Sequence, residues 1–282
     1  MEMIVDAFTY NGEEDILDLR LNILGDRVDR FVIVENCFTF SGREKELPLS
    51  FQRNRDRFKK GGHKIQYVPI DHRVLIQKYG SLADNHPNVP KSPAHWRTEF
   101  IQKEAIKEAL SPDDAYRYDG LGNMTLWMGL RNDDLVFVGD VDEIWNPDRV
   151  DDLRGPVKKL KLKVYTYWLN NRSSEEFWGT IAGEYKYIKN ECLNTIRTIS
   201  PKIGERGWHF TSMAAGLKQK LEDSYTEESY ASRPVMDNLE KNIQDNKDFL
   251  GRDFTYRIDE SEWPGYLKQN REKYLHLLKD KV

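Results

Sequence analysis

The chain has 282 residues, with 43 basic and 47 acidic side chains and a formal net charge of −4. This length fits one large domain or two small ones and can bury a substantial core. The near-balance of charge argues against a general nucleic-acid binder and against a membrane-surface binder. No segment approaches membrane-spanning length and no signal-like leader opens the chain, so we expect a soluble cytoplasmic protein with no membrane span and no nucleic-acid partner.

The N-terminal part of the chain has the pattern of a parallel α/β sheet. Apolar runs at 4–8 and 31–35 predict buried strands, and residues 13–24 between them have the spacing of an amphipathic helix. A strand, a helix and a strand over about thirty residues form a βαβ unit, so the two strands should be parallel neighbours. A helix over 51–60 and a third strand over 64–70 follow.

The middle of the chain is predicted to be less regular. Three prolines make 85–93 a loop, and the spacing of apolar residues predicts a helix over 96–110. Residues 111–125 have the composition of an inserted loop. A short helix is predicted over 126–130, before the next strand.

Four apolar residues, Leu135 to Val138, lead directly into an acidic cluster of Asp140, Asp142 and Glu143. The apolar run predicts a buried central strand. Because side chains alternate along an extended segment, Asp140 and Asp142 should point the same way past the strand end, and Glu143 away from them. Two hard oxygen ligands suit Mg²⁺ or Mn²⁺, with positions left for phosphate oxygens. Open α/β sheets bind their ligands at this edge.

The second half of the chain predicts antiparallel additions to the sheet. Strand patterns occur at 158–168 and 181–188, and helical patterns at 213–221, 235–246 and 263–278. We therefore predict one α/β domain over 1–282, with a Rossmann-like, mixed but mostly parallel central sheet flanked by helices. Its half 1–145 has the nucleotide-binding pattern, and 146–282 adds substrate contacts.

Several common functional motifs are absent. No Gly-x-Gly-x-x-Gly follows the first strand, no Gly-Lys-Ser/Thr loop occurs, and neither Gly-x-Ser-x-Gly nor His-x-x-x-His is found. These absences argue against a dinucleotide fold of the usual kind, a P-loop NTPase and a histidine-rich zinc site. Late in the chain His209 follows Gly207-Trp208, and it is either a packed histidine, a third metal ligand or a donor to a diphosphate.

Three stretches together resemble glycosyltransferase family 17. They are Asn11-x-Glu13-x-Asp15-Ile16-Leu17-Asp18-Leu19-Arg20-Leu21 with the segment that follows to Gly42, then Asp133 to Ile144, then Gly207-Trp208-His209. A weaker match is Asp259-Glu260-Ser261-x-Trp263-Pro264-x-Tyr266-Leu267. The likeness extends over residues 4–278. The sequence departs from the family pattern where Trp145-Asn146 delays a proline to Pro147, and where 111–125 looks inserted.

The resemblance implies a GT-A type fold that moves a sugar from a nucleotide-sugar to a hydroxyl group of a glycan or glycoprotein acceptor. A UDP-sugar such as UDP-N-acetylglucosamine is the implied donor. By that likeness Asp140 and Asp142 hold Mn²⁺ or Mg²⁺ at the diphosphate, and His209 approaches the same ion or diphosphate. The metal then stabilises charge that develops on the leaving diphosphate.

The residues expected at the nucleotide-sugar surround the end of the first strand. Base and ribose usually bind at the loop that here is Phe8-Thr9-Tyr10-Asn11, with Glu13 or Arg20 fixing its shape. Arg20 is equally interpretable as a structural partner of a carboxylate, Glu35 as a ribose ligand or a partner of Arg20, and Arg97 as a phosphate contact or a helix-start salt bridge. The full expected set is Phe8, Tyr10, Asn11, Glu13, Arg20, Glu35, Arg97 and Asp140.

The resemblance also implies inversion at the anomeric carbon, which requires a general base for the acceptor hydroxyl. The candidates are Glu143, Glu227 and Glu228, together with Glu175 and Glu176 in a segment expected to line the acceptor cleft. The sequence leaves all five open, with a surface carboxylate as the alternative for each. Three aromatic residues would form either a sugar platform or part of the core: Trp168, Trp178 and Tyr185.

Two other functions fit the same sheet and acidic pair. A sugar nucleotidyltransferase would normally have a glycine-rich, basic loop after the first strand, and Thr9-Tyr10-Asn11-Gly12-Glu13 has no basic residue. A non-catalytic carbohydrate-binding protein would have no reason to keep two like charges at a buried strand end. A metal-dependent inverting glycosyltransferase is therefore the leading hypothesis.

Overall fold

Eleven strands form one mixed sheet in the computed structural model, which describes residues 2–91, 94–111, 113–226 and 228–280. The strands are β1 Ile4–Tyr10, β2 Arg30–Asn36, β3 Ile65–Ile70, β4 Ala115–Asp119, β5 Met124–Trp127, β6 Leu135–Asp140, β7 Glu143–Trp145, β8 Lys158–Thr166, β9 Asn171–Glu184, β10 Lys202–Thr211 and β11 Tyr256–Ile258. The α-helices are α1 Glu14–Leu24, α2 Ser50–Arg53, α3 His72–Asn85, α4 His95–Glu104, α5 Ile106–Ala109, α6 Leu193–Ile199, α7 Leu217–Ser224, α8 Arg233–Gln244 and α9 Gly265–Gln269.

The strand order places the acidic cluster in the middle of the sheet. The order is β5-β4-β3-β2-β1-β6-β9-β8-β10-β7, and β11 pairs with β9. Because β3, β2, β1 and β6 are parallel, their carboxyl ends lie at one edge. Thr9 near the end of β1 is the register partner of Asp140 at the end of β6. The acidic cluster thus lies where it was predicted, at the end of a buried central strand and just after it.

The parallel strands are buried on both faces because two core clusters pack against them. On one face Val5 and Ala7 of β1 join the cluster that includes Ile106 of α5. On the other face Phe8 joins the cluster that includes Leu17 of α1. A strand covered on both faces needs no polar alternation, so the apolar runs at 31–35 and 135–138 are continuous.

The predicted α/β class is confirmed, but the prediction that the sheet is mostly parallel is wrong. Among the described strands, six pairings are antiparallel and four are parallel. A parallel pair needs a long crossover, whereas antiparallel neighbours accept a short connection. The connections from β4 to β5 and from β8 to β9 are each only four residues long, so these strands run antiparallel.

The sequence analysis predicted a loop over 111–125 and a helix over 126–130. Residues 115–127 form a β-hairpin instead. The β4–β5 hairpin forms there and extends the sheet beyond β3. Its turn is stabilised by Asp119, which accepts the backbone N–H groups of Leu121 at 2.9 Å and Asn123 at 2.8 Å, while Gly122 takes the left-handed conformation with φ +85°. The apolar side chains alternate along each strand, and an alternating pattern this short is easily mistaken for one helical turn.

Some elements were not predicted at all. Helices α3 and α6 and the strands β7, β10 and β11 have no counterpart in the sequence analysis. The predicted helix over 96–110 divides into α4 and α5, and the one over 263–278 is the short α9 followed by a 3-10 turn, Arg271–Leu277. Of the helices in the described ranges, none is long and apolar enough to cross a membrane.

Candidate active site

The acidic loop after β6 is fixed by a buried arginine of α1. Arg20 forms a bidentate ion pair with Asp6, with N–O distances of 2.8 and 2.7 Å, and both side chains are fully buried. Its Nη1 also donates to the backbone carbonyls of Asp140 at 2.9 Å, Val141 at 3.2 Å and Glu143 at 2.8 Å. The planar guanidinium can serve the carboxylate and the loop together. Arg20 is therefore the structural partner of a carboxylate, one of the two roles that the sequence left open. It also shapes the loop that carries the aspartates.

A cavity of about 410 Å³ opens at this edge of the sheet, and we call it the main cavity. Strand β1 and the loop after it contribute Thr9, Asn11 and Glu13. The acidic loop and β10 contribute Asp140, Asp142, Glu143 and His209. Three helices, α4, α6 and α7, each add a cation: Lys103, Arg197 and Lys220.

Asp140 receives hydrogen bonds from three side chains. Thr9 Oγ1 donates to its Oδ1 at 2.7 Å, while Lys103 Nζ at 3.3 Å and Arg197 Nη2 at 3.0 Å donate to its Oδ2. Burial alone would raise the pKa of Asp140, but the charges of Lys103 and Arg197 hold it well below its usual range. Asp140 is therefore a carboxylate at every physiological pH.

Asp142 lines the same cavity but has different partners. His209 Nε2 lies 3.5 Å from its Oδ1, and Lys220 Nζ lies 3.5 Å from its Oδ2 and 3.2 Å from a Glu13 oxygen. Against the effect of burial, the charges of Lys220 and His209 lower the pKa of Asp142 well below its usual range. Burial disfavours the charged imidazole, yet Asp142 raises the pKa of His209 above its ordinary value.

Glu143 is almost completely buried and lines the same cavity as the two aspartates, so the structure does not show the separation that alternation predicts. Both of its oxygens accept N–H groups of Arg197, and Thr180 Oγ1 donates to its Oε2 at 3.1 Å. Two glycines leave room for this side chain. A Cβ at Gly139 would lie 2.8 Å from Glu143 Oε2, and one at Gly179 would lie 2.6 Å from its Cδ and Oε1.

The lining of the main cavity has more negative than positive charge. Six carboxylates line its described part: Glu13, Glu99, Asp140, Asp142, Glu143 and Glu175. Four side chains with permanent positive charge line it: Lys103, Arg197, Lys220 and Arg252. An anion that enters the cavity therefore meets a lining in which carboxylates outnumber cations.

Part of the predicted nucleotide-sugar set lies elsewhere. Asn11, Glu13 and Asp140 line the main cavity. Phe8 and Tyr10 are buried in the core, because the end of β1 is covered by α1 and the residues around Phe51. Arg20, as described above, is buried against Asp6.

Glu35 and Arg97 also lie outside the main cavity. Glu35 is fully buried and accepts the backbone N–H groups of Ser50 at 3.1 Å and Phe51 at 3.2 Å and the Tyr67 hydroxyl at 2.9 Å. It therefore anchors α2, and the hydrogen bonds of Arg20 go to other residues. Arg97 forms the alternative salt bridge, with Asp84 at 2.7 Å.

The carboxylates predicted as candidate bases lie in different surroundings. Glu143 is held by Arg197 in the wall of the cavity, and Glu228 is exposed and does not line it. Glu227 lies outside the described residues. Glu175 lines the main cavity, whereas Glu176 is exposed and paired with Lys161.

The aromatic residues of the main cavity are not those predicted. Trp168, Trp178 and Tyr185 are absent from its described lining. Its rings are instead Phe40, Phe177, Tyr225, Tyr230 and Phe249. Phe177 stacks on His209 with ring centroids 4.1 Å apart.

The sequence analysis did not predict the four cations of the main cavity. The side chains of Lys103 and Arg197 are only 7% and 15% exposed. For Arg197 a signal was available, because it shares a face of α6 with the buried Leu193 and Ile196 and a buried basic residue must find a partner. Lys103 stands between the buried polar residues Gln102 and Glu104 of α4 and gives no such signal.

The aspartates have the chemistry of a metal site that is shared with a ligand. Among the described residues, no three His, Cys, Asp or Glu side chains are arranged to hold an ion by themselves, so Asp140, Asp142 and His209 do not form a closed set. Mg²⁺ is commonly bound by one or two carboxylates together with substrate phosphates and waters. Asp142 fits this use best, because its contacts are long. The Nδ1 atom of His209 is buried without a partner among the described residues.

Comparison with known proteins gives the same family that the sequence motifs resemble. The sequence model of glycosyltransferase family 17 matches residues 1–221. The chain is 28% identical over 165 residues to proteins of Homo sapiens and Rattus norvegicus named beta-1,4-mannosyl-glycoprotein 4-beta-N-acetylglucosaminyltransferase, and 27% identical to that of Mus musculus. These matches cover 58% of this chain and 24% of each relative. The matched segment thus spans about a quarter of the length of these curated relatives.

Proposed function

Because the chain belongs to glycosyltransferase family 17, we propose that it transfers a sugar from a nucleotide-sugar to a hydroxyl group of a glycan acceptor. The observation that carries the proposal is the acidic loop, which brings Asp140 and Asp142 into one cavity with four cations. Carboxylates hold divalent ions, and Lys and Arg side chains hold phosphates. The parallel strands that end at this cavity support a GT-A type fold.

The proposed donor and acceptor sites divide the domain. We assign the nucleotide-sugar mainly to residues 1–145, of which Asn11, Glu13 and Asp140 line the main cavity, with Arg197, His209 and Lys220 of the second half reaching the diphosphate. The rest of 146–282 is assigned to the acceptor. The relatives' name describes transfer of N-acetylglucosamine to a beta-1,4-mannosyl-glycoprotein, so UDP-N-acetylglucosamine is the first donor to test. A glycan or glycoprotein is the corresponding acceptor.

The charge of the main cavity supports a divalent ion. A diphosphate entering a lining in which carboxylates outnumber cations would be repelled unless a metal accompanied it. We propose that Asp142, together with Asp140, holds Mn²⁺ or Mg²⁺, with His209 beside them. When bound, the ion would supply Lewis-acid stabilisation of the leaving diphosphate.

The protein's own side chains would orient the donor and stabilise the transition state. Lys220 reaches both Glu13 and Asp142, and Lys103 and Arg197 both reach Asp140. These ammonium and guanidinium groups are placed to donate to diphosphate oxygens as the bond to the anomeric carbon breaks. Inversion additionally needs a base on the opposite face of the sugar. Glu143 is poorly suited to that task because both of its oxygens accept N–H groups of Arg197.

Calorimetry with UDP, with and without Mn²⁺, tests the proposed donor site. We expect binding that requires Mn²⁺ and that Asp142→Ala removes, whereas Asp148→Ala, at an exposed aspartate of the next loop, leaves it intact. UDP binding that is the same without Mn²⁺ and in Asp142→Ala would overturn the metal assignment.

Turnover with a panel of UDP- and GDP-sugars and a beta-1,4-mannosyl glycopeptide then tests the reaction. Release of nucleoside diphosphate with growth of the glycopeptide supports transfer. Formation of a nucleotide-sugar from a sugar phosphate would identify a nucleotidyltransferase instead. Binding without any turnover would identify a carbohydrate-binding protein.

A further inference from the structure

A second depression adjoins the main cavity, and we call it the polar groove. It has a volume of about 270 Å³ and lies over β8, β9 and β11. Its walls include Lys161, Ser174, Glu205, Tyr256 and Arg257. Hydroxyl, carboxylate and guanidinium groups dominate this lining, and these are the groups that hydrogen-bond to sugar hydroxyls.

Among the described residues, Glu175 is the one that lines both the main cavity and the polar groove. An irregularity of β9 places it there. Lys163 of β8 is the register partner of Glu176, and Tyr165 is the partner of Arg172, so β9 has two residues more than β8 in this interval. A bulge of this kind re-aims side chains and is common beside active sites.

A continuous wall connects Glu175 with the acidic loop. His209 lies 3.5 Å from Asp142, and Phe177 stacks on His209 at 4.1 Å. Glu175 follows on the same strand, two residues away from Phe177, a step of about 6.6 Å along a strand. Glu175 therefore lies beyond Phe177 and His209 along the wall that starts at Asp142, and it lines the main cavity together with the aspartates.

We propose that Glu175 is the general base of the transfer reaction and that the polar groove binds the acceptor glycan. This inference rests on the proposed glycosyltransferase function. The Glu175 carboxylate takes the proton of the acceptor hydroxyl while that oxygen forms a bond to the anomeric carbon of the donor. The bond from the anomeric carbon to the diphosphate oxygen breaks, and its electron pair leaves with the diphosphate. A base at the junction of the two depressions meets both substrates.

The other carboxylates of the main cavity are less suitable. Glu143 is bound by Arg197, and Glu13 accepts from Lys220 at 3.2 Å and from the backbone N–H of Asn11 at 3.0 Å. Glu99 belongs to α4, pairs with Lys103 at 3.8 Å and does not line the polar groove.

The Glu175 carboxylate is held only weakly by its neighbour. Within the described residues, Arg252 Nη1 donates a hydrogen bond to Glu175 Oε1 at 3.4 Å. That guanidinium is committed to Asp248, with N–O distances of 2.7 and 3.1 Å. An acceptor hydroxyl can therefore approach Glu175 without displacing a strong ion pair.

Comparison of Glu175→Gln with wild-type protein tests the assignment. The assay uses UDP-N-acetylglucosamine with the beta-1,4-mannosyl glycopeptide, or the most active donor of the sugar panel. We expect kcat to fall by about 10²- to 10⁴-fold, with little change in donor KM. UDP binding in the presence of Mn²⁺ should be unchanged, because Glu175 lies outside the diphosphate contacts. Glu175→Asp should recover part of the rate.

The matched control is Glu184→Gln, at the far end of β9, where the carboxylate pairs with Lys186 at 2.6 Å. This variant should keep the wild-type kcat. If Glu175→Gln transfers sugar at near the wild-type rate, Glu175 is not the base, and the proposed function still stands. A wild-type protein that neither binds UDP nor transfers a sugar would overturn the proposed function and the inference with it.

Discussion

A single buried arginine organises the acidic loop of this protein. Arg20 neutralises Asp6 and donates to three backbone carbonyls of the loop, those of residues 140, 141 and 143. Removal of one partner of a buried ion pair leaves an uncompensated charge, which is much more costly than the loss of a surface pair. The residue therefore affects both the stability of the fold and the geometry of the candidate site.

Arg20→Ala should lower the free energy of unfolding by about 3–5 kcal/mol. Urea denaturation followed by tryptophan fluorescence measures this change. The control is Arg27→Ala, because Arg27 is about half exposed and only 4.0 Å from an exposed Asp151, so its removal should cost less than about 1 kcal/mol. Equal losses in the two variants would contradict the role assigned to Arg20.

Asp259 should make stability depend on pH in the acid range. Hydrogen bonds from Ser261 and the nearby Arg257 lower the pKa of Asp259 to about 2, below the value of about 3.9 in an unfolded chain. The ionised carboxylate therefore stabilises the fold above about pH 4, and this contribution is lost as the pH falls toward 2. Wild-type protein should exceed Asp259→Asn by about 2 kcal/mol at pH 6, with a smaller gap at pH 3 in urea titrations. A gap that does not change with pH would contradict this assignment.

At the scale of elements, α7 brings a buried cation to the main cavity. The helix follows Gly216, which has φ +85° and so takes a conformation that other residues rarely adopt. The Ala214 N–H donates to the Tyr167 carbonyl at 2.8 Å and ties this turn to the end of β8. Helix α7 thereby places Lys220 between Glu13 and Asp142.

Lys220→Ala should weaken Mn²⁺-dependent UDP binding about tenfold or more, because a hydrogen bond to a charged group contributes about 1.5–3 kcal/mol. Isothermal calorimetry gives the Kd values. Lys218→Ala is the matched control, since Lys218 is on the same helix but exposed and should leave the Kd unchanged. If both variants bind UDP as the wild type does, Lys220 does not contact the donor.

The β4–β5 hairpin forms an edge of the sheet and exposes apolar side chains. Tyr116 and Leu126 are register partners, 66% and 45% exposed, and Tyr118 and Met124 form the next pair, 51% and 66% exposed. Exposed apolar residues on an edge strand favour self-association.

A double variant, Tyr116→Thr with Leu126→Thr, should reduce light scattering on concentration while changing the free energy of unfolding by less than about 1 kcal/mol. UDP binding should be unaffected, because the hairpin does not line the main cavity. Val74→Thr, at an isolated exposed residue of α3, is the control and should not change scattering. Unchanged scattering in the double variant would show that the hairpin does not self-associate.

At the scale of the whole molecule, the residues that the sequence could locate were those marked by continuous local patterns. The apolar run before Asp140 identified the central strand. The alternation rule did not extend past it, because β6 ends at Asp140 and Glu143 shares Arg197 with that aspartate. By contrast, Lys103 and Arg197 come from helices distant in sequence, and no local pattern predicts that their side chains meet at Asp140. Their positions depend on tertiary packing of α4 and α6 against the sheet.

The same limit explains why part of the predicted donor set lies outside the main cavity. Phe8 and Glu35 were placed correctly at strand ends, but their burial depends on elements that cover those ends. For Glu35 the covering element is α2, whose first backbone N–H groups the carboxylate accepts. A sequence pattern predicts which residues lie at an edge of a sheet, whereas the packing of later segments decides which of them remain open to a ligand.

Gly139 and Gly179 give the acidic loop a further property, which concerns redesign. A methyl group at Gly139 would lie 2.5 Å from Thr180 Oγ1 and 2.8 Å from Glu143 Oε2, and one at Gly179 would clash with Phe177 Cε1 and lie 2.6 Å from Glu143 Cδ. Either change would require Glu143 to shift, and with it Arg197, which donates to both Glu143 and Asp140. Redesign of residues 139–143 therefore has to include the neighbouring strand β9, because Gly179 packs against the same carboxylate.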